Sequence, residues 1–227
     1  VLGDKGYQDV RELVGLYFGG LPTRKSIQPR KLRDFGITQN FNVVEKIPSK
    51  LDKSLVTWIF PTVDYRQIYE VHKLDLLQVI LQEKINKLVR EKLSLSYNPE
   101  ATHIVKDNYK NSCYLKFFAD TNAEGVEAVQ KAFESTIKEL LDTGITYEEL
   151  VMAKKVAVNH TASFVNSKQF LFDFVFSFSS AEPENIVMLK SYLNCYENIT
   201  QTQIQESIKT YLKLEKKSVY ILQGVVE

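Results

Sequence analysis

The chain has 227 residues, 44% of them apolar and 25% charged, with a net charge of +1. These proportions exclude disorder, collagen-like repeats and a domain-wide electrostatic footprint for nucleic acid; a chain of this length can bury roughly 70% of the surface its unfolded form would expose. No apolar run approaches the ~18 residues that a bilayer-spanning helix needs.

Val1-Leu2-Gly3-Asp4 reads like the end of a strand entering a turn, so the chain is expected to begin inside a longer protein. From Tyr7 to Phe18 apolar residues recur at helical spacing, and Gly19-Gly20 followed by Pro22 stops that helix. Residues 23–40 are polar and basic without periodicity; lacking a glycine cradle for phosphate, they read as a solvated connector. Phe41–Ile47 and Leu55–Phe60 are β-branched and aromatic and are expected to form an antiparallel pair. Ile68, Val71, Leu74, Leu77, Leu81, Ile85 and Leu88 then keep three- and four-residue steps, the longest helical stripe in the chain.

Two further strands are expected at Thr102–Lys106 and Cys113–Ala119. Val126, Val129, Phe133, Ile137 and Leu140 mark a helix that ends at Gly144. Thr146 with Glu149, and Thr200 with Gln203, have the spacing of capping boxes that open two more helices. Ser218–Val225 closes the chain as a strand. Phe170, Phe172, Phe174, Phe176 and Phe178 alternate, which by period is a strand, yet the same residues would also clothe a helix buried nearly all round. Paired strands separated and followed by helices read as α+β, an antiparallel sheet with helices on one face.

Chemistry-bearing motifs are sparse. The three histidines, His72, His103 and His160, belong to no H-E-x-x-H motif or its inversion, so no metal site is expected within this chain. His72 is expected at the surface of its helix and His103 in a strand facing a neighbour. Cys113 and Cys195 match no ligand spacing and read as two buried thiols rather than a disulfide. There is no nucleophile elbow, P-loop or dinucleotide fingerprint. The sequons at Asn159 and Asn198 carry no weight, since the first falls inside a predicted helix.

The informative stretch is Arg90-Glu91-Lys92-Leu93-Ser94-Leu95-Ser96-Tyr97, where the longest helix ends. It resembles a signature of the second domain in each half of the insulinase/pitrilysin-family zinc peptidases. Three other segments resemble that family in the same order: Val1–Asp4, Tyr17-Phe18-Gly19-Gly20-Leu21-Pro22, and Gly144-Ile145-Thr146-Tyr147-Glu148-Glu149-Leu150 with Ala153-Lys154-Lys155. The resemblance covers nearly the whole chain. It implies one mitochondrial-processing-peptidase/insulinase-like α+β domain over residues 1–227, with a helical phenylalanine run.

It also implies a role. Such proteins enclose a chamber between two homologous halves; one half holds zinc through H-x-x-E-H, and the other has usually lost the metal but supplies an Arg and a Tyr seven residues apart. Arg90 and Tyr97 have that spacing. By resemblance Tyr97 would donate its phenol to the oxyanion and Arg90 would hold a substrate carbonyl, with zinc in the partner half, in the same chain or another subunit. The residues alone also allow Arg90 as a cation at a helix C-terminus and Tyr97 as a packing ring. Two functions stand side by side: a non-catalytic, substrate-binding domain of a zinc endopeptidase, from the C-terminal half, or a structural subunit related to these enzymes. A ligand-binding module unrelated to them would show itself by a pocket away from Tyr97. Relatives joining both halves in one chain are often exported, which would place the protein in a periplasm.

Overall fold

The computed structural model describes residues 3–23, 40–64, 66–105, 109, 111–165, 167–168 and 195–226. The chain divides into two compact units, one of Val1–Lys31 with Thr161–Ser191 and one of Leu32–His160 with Tyr192–Glu227. In the first unit the described element is α1 (Tyr7–Phe18), which ends where the Gly19 N–H bonds to the Gly15 carbonyl at 3.0 Å. The phenylalanine run and most of the basic connector lie outside the described residues.

The second unit is α+β. Its strands are β1 (Asn42–Ser49), β2 (Ser54–Pro61), β3 (Glu100–Ile104), β4 (Tyr114–Thr121) and β5 (Ser218–Val226). Its helices are α2 (Ile68–Ile85), continued by a π-helical turn (Asn86–Lys92), then α3 (Val126–Thr143), α4 (Tyr147–Val165, the part up to His160 belonging to this unit) and α5 (Gln201–Tyr211). The strand order is β1-β5-β2-β4-β3. All neighbours are antiparallel except β1 and β5, which run parallel from Asn42↔Val219 to Ser49↔Val226.

The expected pairing of β1 with β2 is therefore corrected: β5 lies between them. The short link from Ser49 to Ser54 crosses the end of β5, where Gly224 donates its N–H to the Lys53 carbonyl at 2.9 Å. A Cβ on Gly224 would lie 2.7 Å from that same oxygen, so only glycine lets the link pass this close.

Strand alternation puts Val56, Trp58, Phe60, Leu115, Phe117 and Ala119 against the helices, fully or nearly fully buried. Opposing them are Leu77, Ile80 and Leu81 of α2 and Val129, Phe133 and Ile137 of α3. Phe133 meets Trp58 edge-on at 5.7 Å and lies tilted against Phe117 at 5.5 Å. Each such side chain contributes about 1.5–3 kcal/mol by leaving water. α2 is buried on most sides, including His72 at 2% exposure, which corrects its expected surface position.

Both capping boxes form. Thr146 and Glu149 exchange bonds of 2.9 and 3.1 Å at the start of α4, and Thr200 with Gln203 does the same for α5. β3 is an edge strand, and α2 covers its free side. Gln82 accepts from the Ala101 N–H at 2.7 Å and donates to the Pro99 carbonyl at 2.9 Å, and Gln78 accepts from the His103 N–H at 3.1 Å. Two glutamines one helical turn apart thus stand in for a missing strand.

Candidate functional site

The site grows from the end of α2. There the helix widens into π-type bonding, so Leu93 N–H reaches the Leu88 carbonyl at 3.0 Å and Leu95 N–H the Val89 carbonyl at 2.9 Å. Single π-turns of this kind recur at functional sites. Val89 points into the core with no exposure, leaving Arg90 exposed beside it. Ser94 then takes the left-handed conformation (φ 51°) that reverses the chain. Leu95 packs against the core, Ser96 is buried, and Tyr97 turns outward at 73% exposure.

The result brings Arg90 and Tyr97 together, with the guanidinium 4.8 Å from the centre of the phenol ring. This is a cation–π contact, which leaves the phenol hydroxyl and the guanidinium edges available. The pair borders an open pocket of about 470 Å³, lined also by Asp52, Lys53, Ser94, Ser96 and Asp120. Ser96 Oγ donates to Asp120 Oδ1 at 2.7 Å, and Lys53 Nζ stands 3.9 Å from Asp120 Oδ2. Asp52 accepts the N–H of Ala123 at 3.0 Å. Such an arrangement can offer one phenolic donor and one planar fork to a polar ligand; its carboxylates are already engaged.

Sequence reasoning singled out Arg90 and Tyr97 and missed Ser96, Asp120 and Lys53. The only available signal was a serine beside the tyrosine, because Asp120 and Lys53 arrive from β4 and the turn before β2.

A second cluster was also missed. Asp75 on α2 receives His103 Nδ1 at 3.0 Å, has His72 Nδ1 at 3.6 Å and accepts the Tyr196 hydroxyl at 3.4 Å. His103 Nε2 lies 3.3 Å from Thr62 Oγ1, and the His72 ring meets Tyr196 edge-on at 5.2 Å. Burial works against ionisation of Asp75, but hydrogen bonds from His103 and His72 and attraction to them hold its carboxyl below the ordinary value. Among the described residues no three His, Cys, Asp or Glu side chains are arranged to hold a metal ion. Both cysteines are free; burial and the nearby Asp75 charge push the Cys195 thiol up to about 12, which makes it inert as a nucleophile at neutral pH.

A further cavity of about 460 Å³ lies between α2, α3 and α4, away from Tyr97. Lys84 is pinned there between Glu139 at 2.8 Å and Glu149 at 2.9 Å. Burial opposes the charge, but bonds to these two carboxylates raise the lysine above its usual value. The cavity's central charges are thus paired within the protein and serve to tie three helices.

No curated protein matches the chain. Among solved structures it resembles a protease from Helicobacter pylori (17% identity, 98% of this chain and 54% of that one, TM-score 0.76). It likewise resembles a conserved protein from Enterococcus faecalis V583 (15% identity, 100% and 51%, TM-score 0.75). The periplasmic protease PqqL from Escherichia coli shares the fold at 16% identity, over 98% of this chain and 25% of that one, with a TM-score of 0.71. The chain thus spans about half the length of the first two and a quarter of the third. Residues 1–156 match the family described as the peptidase M16 inactive domain. Matched over most of its length, the chain belongs to the peptidase M16 family, as a domain of the type described as inactive.

Proposed function

We propose that this chain is one domain, residues 1–227, of a longer zinc metallopeptidase that cleaves peptides, and that it comes from the half lacking the metal. It walls the chamber and contacts substrate. Zinc belongs to the homologous half, in the same chain or a partner subunit; the described residues of this domain do not fit the metal, so none of its own steps runs through it.

The observation that carries this reading is the Arg90–Tyr97 stack at the mouth of an open pocket. The phenol O–H, outward and preorganised, donates to the carbonyl oxygen of the scissile bond as negative charge develops there. A donor already in place does not have to reorganise during reaction, which is why such groups matter most in the transition state. Arg90 grips a neighbouring peptide carbonyl through guanidinium N–H groups that its stack on the ring leaves available. Resemblance to a periplasmic protease supports an exported setting.

Mutation of the intact protein tests the reading. Tyr97→Phe keeps the ring and the stack but removes one donor; kcat should fall about 100- to 1000-fold with KM little changed. Arg90→Ala should raise KM as well, because the fork holds substrate before and during reaction. A Tyr97→Phe protein with turnover within a few-fold of wild type would return Tyr97 to a packing role.

A further inference from the structure

We infer that Asp120, acting through Ser96, is the positioning residue that holds Tyr97 outward over Arg90. The inference rests on the reading of Tyr97 given above and extends it to groups that the Arg–Tyr spacing does not include.

The loop between α2 and β3 is secured at both ends. On one side Leu93 and Leu95 bond back into the π-turn; on the other Gln82 holds Pro99 and Ala101. Between these anchors, among the described residues, the bond from Ser96 Oγ to Asp120 Oδ1 is the tie that fixes residues 96–98 to the sheet. Its 2.7 Å length is that of a hydroxyl donating to a carboxylate, a bond roughly twice as strong as one between neutral groups. Ser96 is 7% exposed, so its hydroxyl would otherwise be buried without an acceptor.

Asp120 is itself well placed to serve as an anchor. It sits at the end of β4, paired in register with Leu55 of β2, so its backbone belongs to the sheet rather than to a loop. Lys53, from the turn before β2, stands 3.9 Å from its other oxygen. A rigid strand therefore sets a carboxylate, the carboxylate sets a serine, and the serine sets the direction of the tyrosine next to it. Asp120 and Ser96 act through Tyr97; they are positioning groups and not catalytic ones.

The test uses the intact zinc-bearing protein and an internally quenched peptide library. Ser96→Ala and Asp120→Ala should each lower kcat about tenfold or more, since small misplacement of a reacting group is costly, while KM stays within a few-fold. Ser96→Thr, which keeps the hydroxyl, should restore most of the loss. In a Tyr97→Phe background, Ser96→Ala should cost less than about twofold further, because the group through which it acts is gone. Thermal midpoints separate unfolding from misplacement, and Asp120→Asn, a milder change, covers the case in which an alanine variant fails to fold. Wild-type turnover in Ser96→Ala and Asp120→Asn alongside a defective Tyr97→Phe would overturn the inference and leave the reading of Tyr97 standing. An equal loss from Ser96→Ala with and without the phenol would also overturn it. Near-wild-type turnover in Tyr97→Phe would remove both.

Discussion

The sharpest departure from expectation concerns single residues around Asp75. A histidine on a helix is exposed by default, and nothing local to His72 says otherwise. It is buried because α2 is covered on most sides, and its polar ring is tolerated because Asp75 lies one turn on, with His103 and Tyr196 arriving from elsewhere in the chain. Asp75→Asn should destabilise the protein by about 1.5–3 kcal/mol at neutral pH, the usual range for a bond to a charged group. The sign of the pH dependence follows from the lowered carboxyl value. The folded protein holds the ionised form more tightly than the unfolded chain, whose carboxyl titrates near 3.8. The stability gap between wild type and Asp75→Asn is therefore complete above 3.8 and closes as pH falls through the lower folded value. Denaturant titrations across that range measure it; a gap that widens on acidification would contradict the assignment.

Among the elements, helix and strand positions were largely legible because hydrophobic period and end signals agreed. α3 begins at Val126, ends at Gly144, and is followed by a capping box, all as its spacing predicts. Gly144 carries this junction. Its φ of 74° and ψ of −156° lie where essentially only glycine is at ease, and an added Cβ would meet the Gln205 side chain, which bonds to the Leu140 carbonyl at 3.3 Å. Gly144→Ala should cost about 1–3 kcal/mol, seen as a lowered midpoint in thermal or denaturant unfolding; an unchanged midpoint would show that the junction relaxes freely. β3 and β4 pair as their closeness in the chain suggests, but the place of β5 was not legible. The Val- and Ile-rich run of β5 would suit several places in a sheet, and nothing in it announces parallel pairing with residues some 177 positions earlier, as in Asn42↔Val219. The site was half legible for the same reason. Arg90 and Tyr97 lie within one short segment, whereas Asp120 and Lys53 join it only through the sheet.

Across the whole molecule, the division of labour expected of this family makes a simple prediction. The chain by itself should retain no stoichiometric zinc after dialysis, because its described acidic, thiol and imidazole groups are not arranged as ligands. It should also leave peptides uncleaved, since its described residues hold no ligand set to bring a bound water towards the ~7 at which catalytic zinc ionises it. Elemental analysis and a peptidase assay check both; one tightly held zinc per chain, or chelator-sensitive cleavage by a clean preparation, would overturn the assignment of roles.

The insertion of β5 between β1 and β2 has a consequence in time. β5, which lies between β1 and β2, follows every other strand of this sheet in the chain, and β1 emerges well before β5, its neighbour in the sheet, exists. Until β5 arrives, β1 cannot join the sheet and β2 shows a bare edge, so these strands wait exposed while α2 to α5 are synthesised. Long-range closure of this kind is slow relative to local helix formation. A nascent chain stalled after α5 would thus hold its helices and the β2-β4-β3 ladder but not a closed sheet, and would depend on something else to shield the gap that β5 fills.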